Sequence, residues 1–170
     1  MAAGGSIPGR AMGRPRSYRK QHVVASVVAV IVDEQERVVL TRRGIPPFLG
    51  QWVMPGGKIG LGEPMQLALR REVREEVGID VTVGDLVDVY ERVAPGADND
   101  HHVILFYRCQ PSRPELTANP DEVVEALWVP RRELGRYDMP EGTRHVLARL
   151  FPELAGGGGG APSPTGGRGP

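Results

Sequence analysis

Residues 57–79 read GKIGLGEPMQLALRREVREEVGI, a glycine-rich segment followed by a run of charged and apolar residues. Pro64 suits the first turn of a helix, where its missing amide proton costs nothing, and Gly78 supplies a stop. Between them, apolar side chains recur every fourth residue and form a stripe that would face a core. They are Met65, Leu69, Val73 and Val77. The pattern predicts an amphipathic helix that directly follows a glycine-rich loop.

Three glutamates share one face of this predicted helix. Glu72 precedes Glu75 by three residues and Glu76 by four, so the three side chains lie together, turned away from much of the apolar stripe. At about 5–6 Å and an effective dielectric near 20, each like-charged pair costs roughly 3 kcal/mol before screening. An exposed acidic face, neutralised by Arg71 and Arg74, is one interpretation. A site for Mg²⁺ or Mn²⁺ is the other, because these cations bind oxygen ligands together with substrate phosphates.

The spacing of charged residues and glycines favours the cation site, because it matches a known motif. The 23 residues 57–79 fit the motif of the Nudix hydrolases at every specified position. The matching residues are Gly57, Glu63, Arg71, Glu72, Val73, Glu75, Glu76, Gly78 and Ile79. Here the chain resembles that family. The resemblance implies an α/β fold, a Nudix-type α/β/α sandwich with a mixed β-sheet, and hydrolysis of a nucleoside diphosphate linked to another group.

The resemblance also implies a role for each motif residue. Glu72, Glu75 and Glu76 would be ligands of a divalent metal, Mg²⁺ or Mn²⁺, and Arg71 would orient a carboxylate. Such a metal can neutralise a pyrophosphate, lower the pKa of bound water and align it for attack at phosphorus. The supporting residues would be Gly57, Glu63 and Gly78.

A further acidic residue is expected outside the motif. Many Nudix members place another metal-binding or base carboxylate in the loop before the last strand. Glu122, six residues before Trp128, is the first choice here, with Asp121 and Asp98 as alternatives. A solvated loop acid is the competing interpretation.

Four residues are candidates for substrate binding. Arg42 and Arg43, at the end of a predicted strand, would bind phosphate through charge-assisted hydrogen bonds. Trp52 would stack on a base, and Lys58, in the glycine-rich loop, lies near the expected phosphates. A purely structural role is the alternative for each of them.

The choice of substrate rests on fewer residues. Pro95 lies sixteen residues beyond Ile79, where ADP-ribose pyrophosphatases of this family often carry proline. His101 and His102 begin a strand similar to the sugar-nucleotide branch, and one of them would serve as an acid rather than as a metal ligand. We therefore predict ADP-ribose or a nucleotide sugar first. The alternatives are a nucleoside triphosphate pyrophosphohydrolase of the kind that clears oxidised nucleotides, and a non-catalytic nucleotide-binding sensor.

Composition divides the 170-residue chain into one domain and two tails. Residues 1–20 carry five basic and no acidic residues, whereas residues 21–154 carry fifteen basic and twenty-one acidic residues. Residues 1–20 and 155–170 lack apolar periodicity and are predicted to be disordered, while residues 21–154 have the size of one domain.

The segments around the motif predict a mixed sheet between helices. The β-branched run from Val23 and the run VVLTRR predict a hairpin with a buried first strand. Further strands are predicted at QWVM, near 80–93, at HHVILFYRC and at VVEALWVP, with helices at 130–135 and 140–151.

Location and partners follow from what the sequence lacks. A single cysteine, Cys109, cannot form an internal disulfide, and the longest apolar run falls short of the roughly 20 residues that span a bilayer. We predict a cytoplasmic protein with a small nucleotide substrate and with neither nucleic acid nor membrane as partner. A homodimer is one option for its assembly.

Overall fold

The computed structural model describes residues 23–94 and 100–152. The predicted tails 1–20 and 155–170, together with Pro95 and Asp98, lie outside the described residues. The elements, in chain order, are β1 Val24–Ile31, β2 Arg37–Arg43, β3 Trp52–Val53, β4 Gly56–Lys58, α1 Met65–Val77, β5 Val81–Ala94, β6 Asp100–Pro111, β7 Val123–Pro130, a 3₁₀ helix Arg131–Arg136 and α2 Glu141–Leu150.

The strands form two sheets. Four strands lie in the order β4-β1-β6-β5, and β1 and β6 run parallel while the other neighbours are antiparallel. Three strands lie in the order β3-β2-β7, all antiparallel. Helix α1 packs on β1, β4 and β5, and α2 packs on β5. The expected α/β fold with a mixed sheet is confirmed, and the second sheet was not predicted.

The predicted hairpin of β1 and β2 is wrong. These strands belong to different sheets, and just beyond β1 they are linked by the isolated bridge between Val32 and Val38 and by the hydrogen bond from Asp33 N–H to Arg37 O at 3.1 Å. Both edges of β1 are occupied, because β6 pairs along all of its eight residues and β4 pairs on the other side. Between β1 and β2 the Asp33 carboxylate accepts hydrogen bonds from the backbone N–H groups of Gln35 and Arg37, at 3.0 and 2.8 Å. The chain therefore turns at Asp33 and continues in the second sheet.

Successive side chains of a strand point to opposite faces of the sheet, so β1 contributes to two hydrophobic cores. Val27 and Ile31 of β1 face the cluster that contains α1, whereas Val30 faces the cluster that contains α2 and the 3₁₀ helix. Helix α1 buries most of its predicted stripe, but Met65 is 44% exposed, and its Sδ lies 4.0 Å from the Oη of Tyr107. The two clusters give the sandwich its two sides.

Neither α-helix in the described residues 23–94 and 100–152 has the length and apolar character that a membrane-spanning helix requires.

Candidate active site

Glu76 is the buried member of the glutamate group on α1. Its side chain is 3% exposed, and its Oε2 accepts a hydrogen bond from the backbone N–H of Gly56 at 3.0 Å. The sequence predicts that the three glutamates turn away from much of the apolar stripe, and Glu76 departs furthest from that prediction. Glu76 follows Val73 by three residues and therefore lies beside the stripe. The site thus contains a carboxylate withdrawn from water, with a single backbone donor.

The backbone at Gly56 brings this donor into place. Gly56 has a φ of 154°, and a Cβ there would lie 2.2 Å from the carbonyl oxygen of Val27. Only glycine lets β4 approach β1 this closely. The segment read as a loop from the sequence therefore forms a short strand, whose first residue points its N–H at Glu76.

The surroundings of Glu76 raise its pKa to about 8. Burial is the largest cause, and the negative charges of Glu72 and Glu122 act in the same direction. The hydrogen bond from Gly56 and the positive charge of Arg43 oppose the shift. Glu72, Glu122 and Arg43 therefore lie within electrostatic reach of Glu76, although they come from α1, the loop before β7, and β2.

This pKa predicts how the stability of the metal-free protein depends on pH. The folded state holds a proton on Glu76 between the ordinary value of 4.5 and about 8, whereas the unfolded state loses it. The free energy of unfolding should therefore fall as the pH rises through this window, on the order of a few kcal/mol from Glu76. Urea unfolding in the presence of a chelator, repeated at pH values from 5 to 9, measures this change in the free energy of unfolding. Glu76→Gln should show a smaller fall, and the exposed-site control Glu75→Gln should follow the wild type; parallel profiles for wild type and Glu76→Gln would contradict the prediction.

Arg71 links the other glutamates. Its Nη1 donates to Glu72 Oε1 at 2.8 Å and to Glu75 Oε2 at 3.0 Å. Its Nε and Nη2 donate to the two oxygens of Glu63 at 2.8 and 3.0 Å. This two-bond geometry fixes the guanidinium plane, so that Arg71 can hold Glu72 in place. It also lowers the pKa of Glu63 to about 2, with help from the backbone N–H of Gly60.

The three motif glutamates differ in exposure. Glu75 is the outermost, with 52% of its side chain exposed, and Glu72 is partly buried. Burial raises the pKa of Glu72, and Arg71 opposes that shift. Gly57 leaves room for this carboxylate, because a Cβ at Gly57 would lie 2.4 Å from it. The group therefore runs from an exposed rim to a buried end.

The loop before β7 brings Glu122 to this group. Gly78 ends α1 with a φ of 71°, and its N–H donates to Arg74 O. The N–H groups of Thr117 and Asn119 then donate to the last carbonyls of α1, those of Val77 and Glu76, at 2.9 and 3.1 Å. These bonds satisfy the end of the helix and hold the loop against it. They also fix the segment that leads to the glutamate.

Glu122 and Asp121 differ in their surroundings. The Glu122 carbonyl accepts a hydrogen bond from Gly44 N–H at 2.8 Å, which ties this loop to the end of β2. Asp121 is exposed, and its backbone N–H is held by Asn119 Oδ1 at 3.2 Å. The negative charge of Glu122 acts on both Glu72 and Glu76. Of the two acids, Glu122 is thus the one placed near the α1 glutamates.

Arg42 and Arg43 lie on opposite faces of β2. Arg43 comes four residues after Val39 and therefore lies on the same face of β2, the face that covers the α1 core. Its positive charge opposes the rise in the pKa of Glu76. Arg42 pairs across the sheet with Trp52 and lies 3.7 Å from Glu125. The structure therefore brings Arg43, and not Arg42, towards the glutamates.

Trp52 packs edge-to-face on Tyr137, with ring centroids 5.1 Å apart, against the core that contains α2. Lys58 is exposed on β4, and its carbonyl accepts a hydrogen bond from Arg71 Nη2 at 3.3 Å. His101 lies 2.7 Å from Glu91 on the neighbouring strand, and His102 pairs in register with Val24 and Arg92. Lys58 thus contacts the hydrogen-bond network around Arg71 through its backbone carbonyl.

Sequence reasoning missed two parts of the site. It assigned Gly56 only to the glycine-rich loop before the helix and did not predict that its N–H donates to Glu76. The Gly56-Gly57 pair was the available signal, because adjacent glycines often mark a close approach of backbone. The helix-capping bonds of Thr117 and Asn119 had no signal in the sequence.

The oxygen donors of this site fit a hard divalent cation. Glu72, Glu76 and Glu122 are carboxylates that repel one another, and Glu76 is buried without an arginine hydrogen bond. Arg71 already bridges Glu72 and Glu75, which indicates how strongly the group attracts positive charge. As the side chains stand in residues 23–94 and 100–152, no three His, Cys, Asp or Glu residues form a ready cation site. The fit therefore rests on the chemistry of the donors.

The fold is an α/β sandwich with a group of carboxylates on α1, and comparison with known proteins names the family to which it belongs. The family model for the NUDIX domain matches residues 22–150, so the chain belongs to the Nudix family and is a hydrolase. The fold, the family and the enzyme class expected from residues 57–79 are confirmed. Nudix hydrolases generally use a divalent metal and act on small nucleotides.

Several relatives and solved structures are similar over most of their length. Nucleoside triphosphatase NudI of Salmonella heidelberg (strain SL476) is 34% identical over 118 residues, which span 65% of this chain and 82% of that protein. The MutT NUDIX hydrolase from Burkholderia pseudomallei is 27% identical with a TM-score of 0.65, covering 76% of this chain and 99% of that one. The NUDIX domain of Shewanella oneidensis NrtR, solved with ADP ribose, is 20% identical with a TM-score of 0.65, covering 85% and 95%. This last likeness is one of fold alone.

Proposed function

We propose that this Nudix hydrolase cleaves nucleoside triphosphates to a nucleoside monophosphate and pyrophosphate, with one water consumed. The observation that carries the proposal is the 34% identity to nucleoside triphosphatase NudI, across 82% of that protein. The sequence favoured ADP-ribose or a nucleotide sugar, on Pro95, which lies outside the described residues, and on the likeness of the strand that begins at His101 and His102 to the sugar-nucleotide branch. Triphosphates therefore come first, and ADP-ribose is the alternative.

In this proposal a divalent cation, Mg²⁺ or Mn²⁺, is held by Glu72 and Glu76, with Glu75 and Glu122 as further ligands. When bound, such an ion neutralises the phosphates and activates a water for attack at phosphorus. The burial of Glu76 and the partial burial of Glu72 support their assignment, because a carboxylate in low dielectric binds a cation more strongly than one in water. Glu122, whose negative charge acts on both Glu72 and Glu76, would serve as a further ligand or as the acceptor of the water's proton.

The other residues of the site position these groups or bind phosphate. Arg71 orients Glu72, and Glu63 fixes Arg71 through two hydrogen bonds, so both are positioning residues. Arg43 is the proposed phosphate ligand on the protein, because it lies on the face of β2 that looks towards Glu76. Its Nε is held by Pro47 O at 2.8 Å, which leaves the terminal nitrogens to reach substrate. Lys58, exposed at the rim, adds positive charge.

A substrate panel tests the proposal. Purified protein with Mg²⁺ is incubated with nucleoside triphosphates, canonical and oxidised, and with ADP-ribose and GDP-mannose, and the products are separated by anion-exchange chromatography. Nucleoside monophosphate and pyrophosphate are expected from triphosphates, with kcat/KM at least about tenfold above that for ADP-ribose, a difference of about 1.4 kcal/mol in transition-state binding. Glu76→Gln is prepared in parallel. Because this variant is expected to lose nearly all turnover, hydrolysis in its preparation would reveal a contaminating phosphatase.

Three other outcomes would change or contradict the proposal. A higher kcat/KM for ADP-ribose would replace the triphosphate proposal by the alternative. Release of orthophosphate and nucleoside diphosphate would keep the substrate class and change the bond that is cleaved. No hydrolysis of any compound would contradict the proposed function.

A further inference from the structure

Phe48, in the loop between β2 and β3, presents an aromatic ring to solvent. Its φ is 67°, a left-handed conformation that bulky side chains rarely adopt. The side chain is 38% exposed, and it is the one exposed aromatic residue in the part of the chain that the structure describes. Backbone strain of this kind persists where the surrounding structure fixes it, commonly at ligand sites.

Hydrogen bonds fix the loop that carries Phe48. Gln51 N–H donates to Phe48 O at 3.0 Å, and Gly50 N–H donates to Arg43 O at 2.8 Å. The Arg43 side chain binds the carbonyl of Pro47, the residue before Phe48, at 2.8 Å. Gly44, at the start of the loop, donates to the backbone of Glu122. The same two residues that lie beside the α1 glutamates, Arg43 and Glu122, therefore hold the loop that displays the ring.

Arg92 of β5 completes the surface. Its guanidinium carbon lies 5.9 Å from the centroid of the Phe48 ring, within the range of a cation–π contact. Trp52, for which base stacking was predicted, packs edge-to-face on Tyr137. The Phe48 ring and the Arg92 guanidinium together suit the base of a nucleotide. The proposed phosphate-binding site beside them suits its phosphates.

We propose that Phe48 and Arg92 form the nucleobase-binding surface of this enzyme, with the base stacked on the Phe48 ring while the phosphates reach Arg43 and the glutamates. The inference rests on the proposed action on nucleoside triphosphates. Every base offers a π face, so stacking on Phe48 favours nucleotides in general and discriminates little between bases. Phe48 is thus a substrate-binding residue, whose effect belongs in KM.

Steady-state kinetics of Phe48→Ala test this role. The KM for ATP and GTP should rise about tenfold with kcat within about twofold of the wild type, because stacking acts equally on the ground state and the transition state. The inhibition constant of tripolyphosphate, which has no base, should not change. Phe48→Trp should restore the low KM. Leu49→Ala, an exposed apolar neighbour in the same loop, is the matched control and should behave as the wild type.

Isothermal titration calorimetry with methylene-bridged analogues of ATP and of ADP-ribose, which the enzyme cannot cleave at the bridged position, measures the same contact without hydrolysis. If the wild type cleaves no triphosphate, the proposed function fails, and these titrations still decide the role of Phe48. A tenfold weaker affinity in Phe48→Ala supports the surface. Affinities and KM within about twofold of the wild type, an equal loss in Leu49→Ala, or an equal loss for tripolyphosphate would overturn it.

Discussion

Replacement of Glu76 by Gln is expected to lower kcat by at least about 100-fold and to leave the fold intact. Glutamate and glutamine are both good helix formers, and the amide oxygen of Gln can still accept the hydrogen bond from Gly56 N–H. The substitution removes the negative charge that the proposed site uses to hold a divalent cation, an effect worth several kcal/mol in metal-assisted reactions.

Steady-state turnover of a triphosphate, with circular dichroism to verify the fold, measures the effect of Glu76→Gln. Glu34→Gln, an exposed acid in the turn between β1 and β2, is the matched control and should retain wild-type turnover. A Glu76→Gln enzyme with unchanged kcat would remove Glu76 from the catalytic site.

Replacement of Gly57 by Ala is expected to lower kcat/KM by about 10- to 100-fold through the position of Glu72. The added Cβ would lie 2.4 Å from the Glu72 carboxylate, so this flexible side chain has to move. Such a move separates Glu72 from the cation that it is proposed to bind, and altered support of a metal ligand typically costs 10- to 100-fold.

The matched control for Gly57→Ala is Gly135→Ala, because nothing lies within 4 Å of a Cβ at Gly135. Both variants should unfold within a few degrees of the wild type, and only Gly57→Ala should lose activity. Full activity of Gly57→Ala would mean that the position of Glu72 does not matter to the reaction. A large drop in its unfolding temperature would mean instead that Gly57 serves the fold.

Features that depend on a short segment of sequence were predicted most accurately. Helix α1 lies within one residue of its predicted bounds, because Pro64 and Gly78 determine its ends through backbone chemistry that needs no tertiary contact. Strand β7 spans the predicted VVEALWVP. The family resemblance of residues 57–79, confirmed by the match to the NUDIX domain, came from spacing within one short segment.

Long-range contacts account for what the sequence did not predict. The assignment of β1 and β2 to different sheets depends on β6, a strand some seventy residues further along, which takes one edge of β1. The burial of Glu76 depends on the approach of β4, and the opposite directions of Arg42 and Arg43 depend on which core each face of β2 covers. Neither the periodicity nor the composition of a single segment predicts these contacts between parts of the chain that are far apart in sequence.

Crystals soaked with Mn²⁺ and a methylene-bridged triphosphate test the central claim, that the acidic group on α1 holds a divalent cation against the phosphates of a nucleotide. Anomalous diffraction at the manganese edge locates the ion independently of the protein density. The account predicts an anomalous peak bounded by carboxylate oxygens of Glu72 and Glu76 and by phosphate oxygens. A nucleotide bound in the cleft with no manganese at these carboxylates would contradict it.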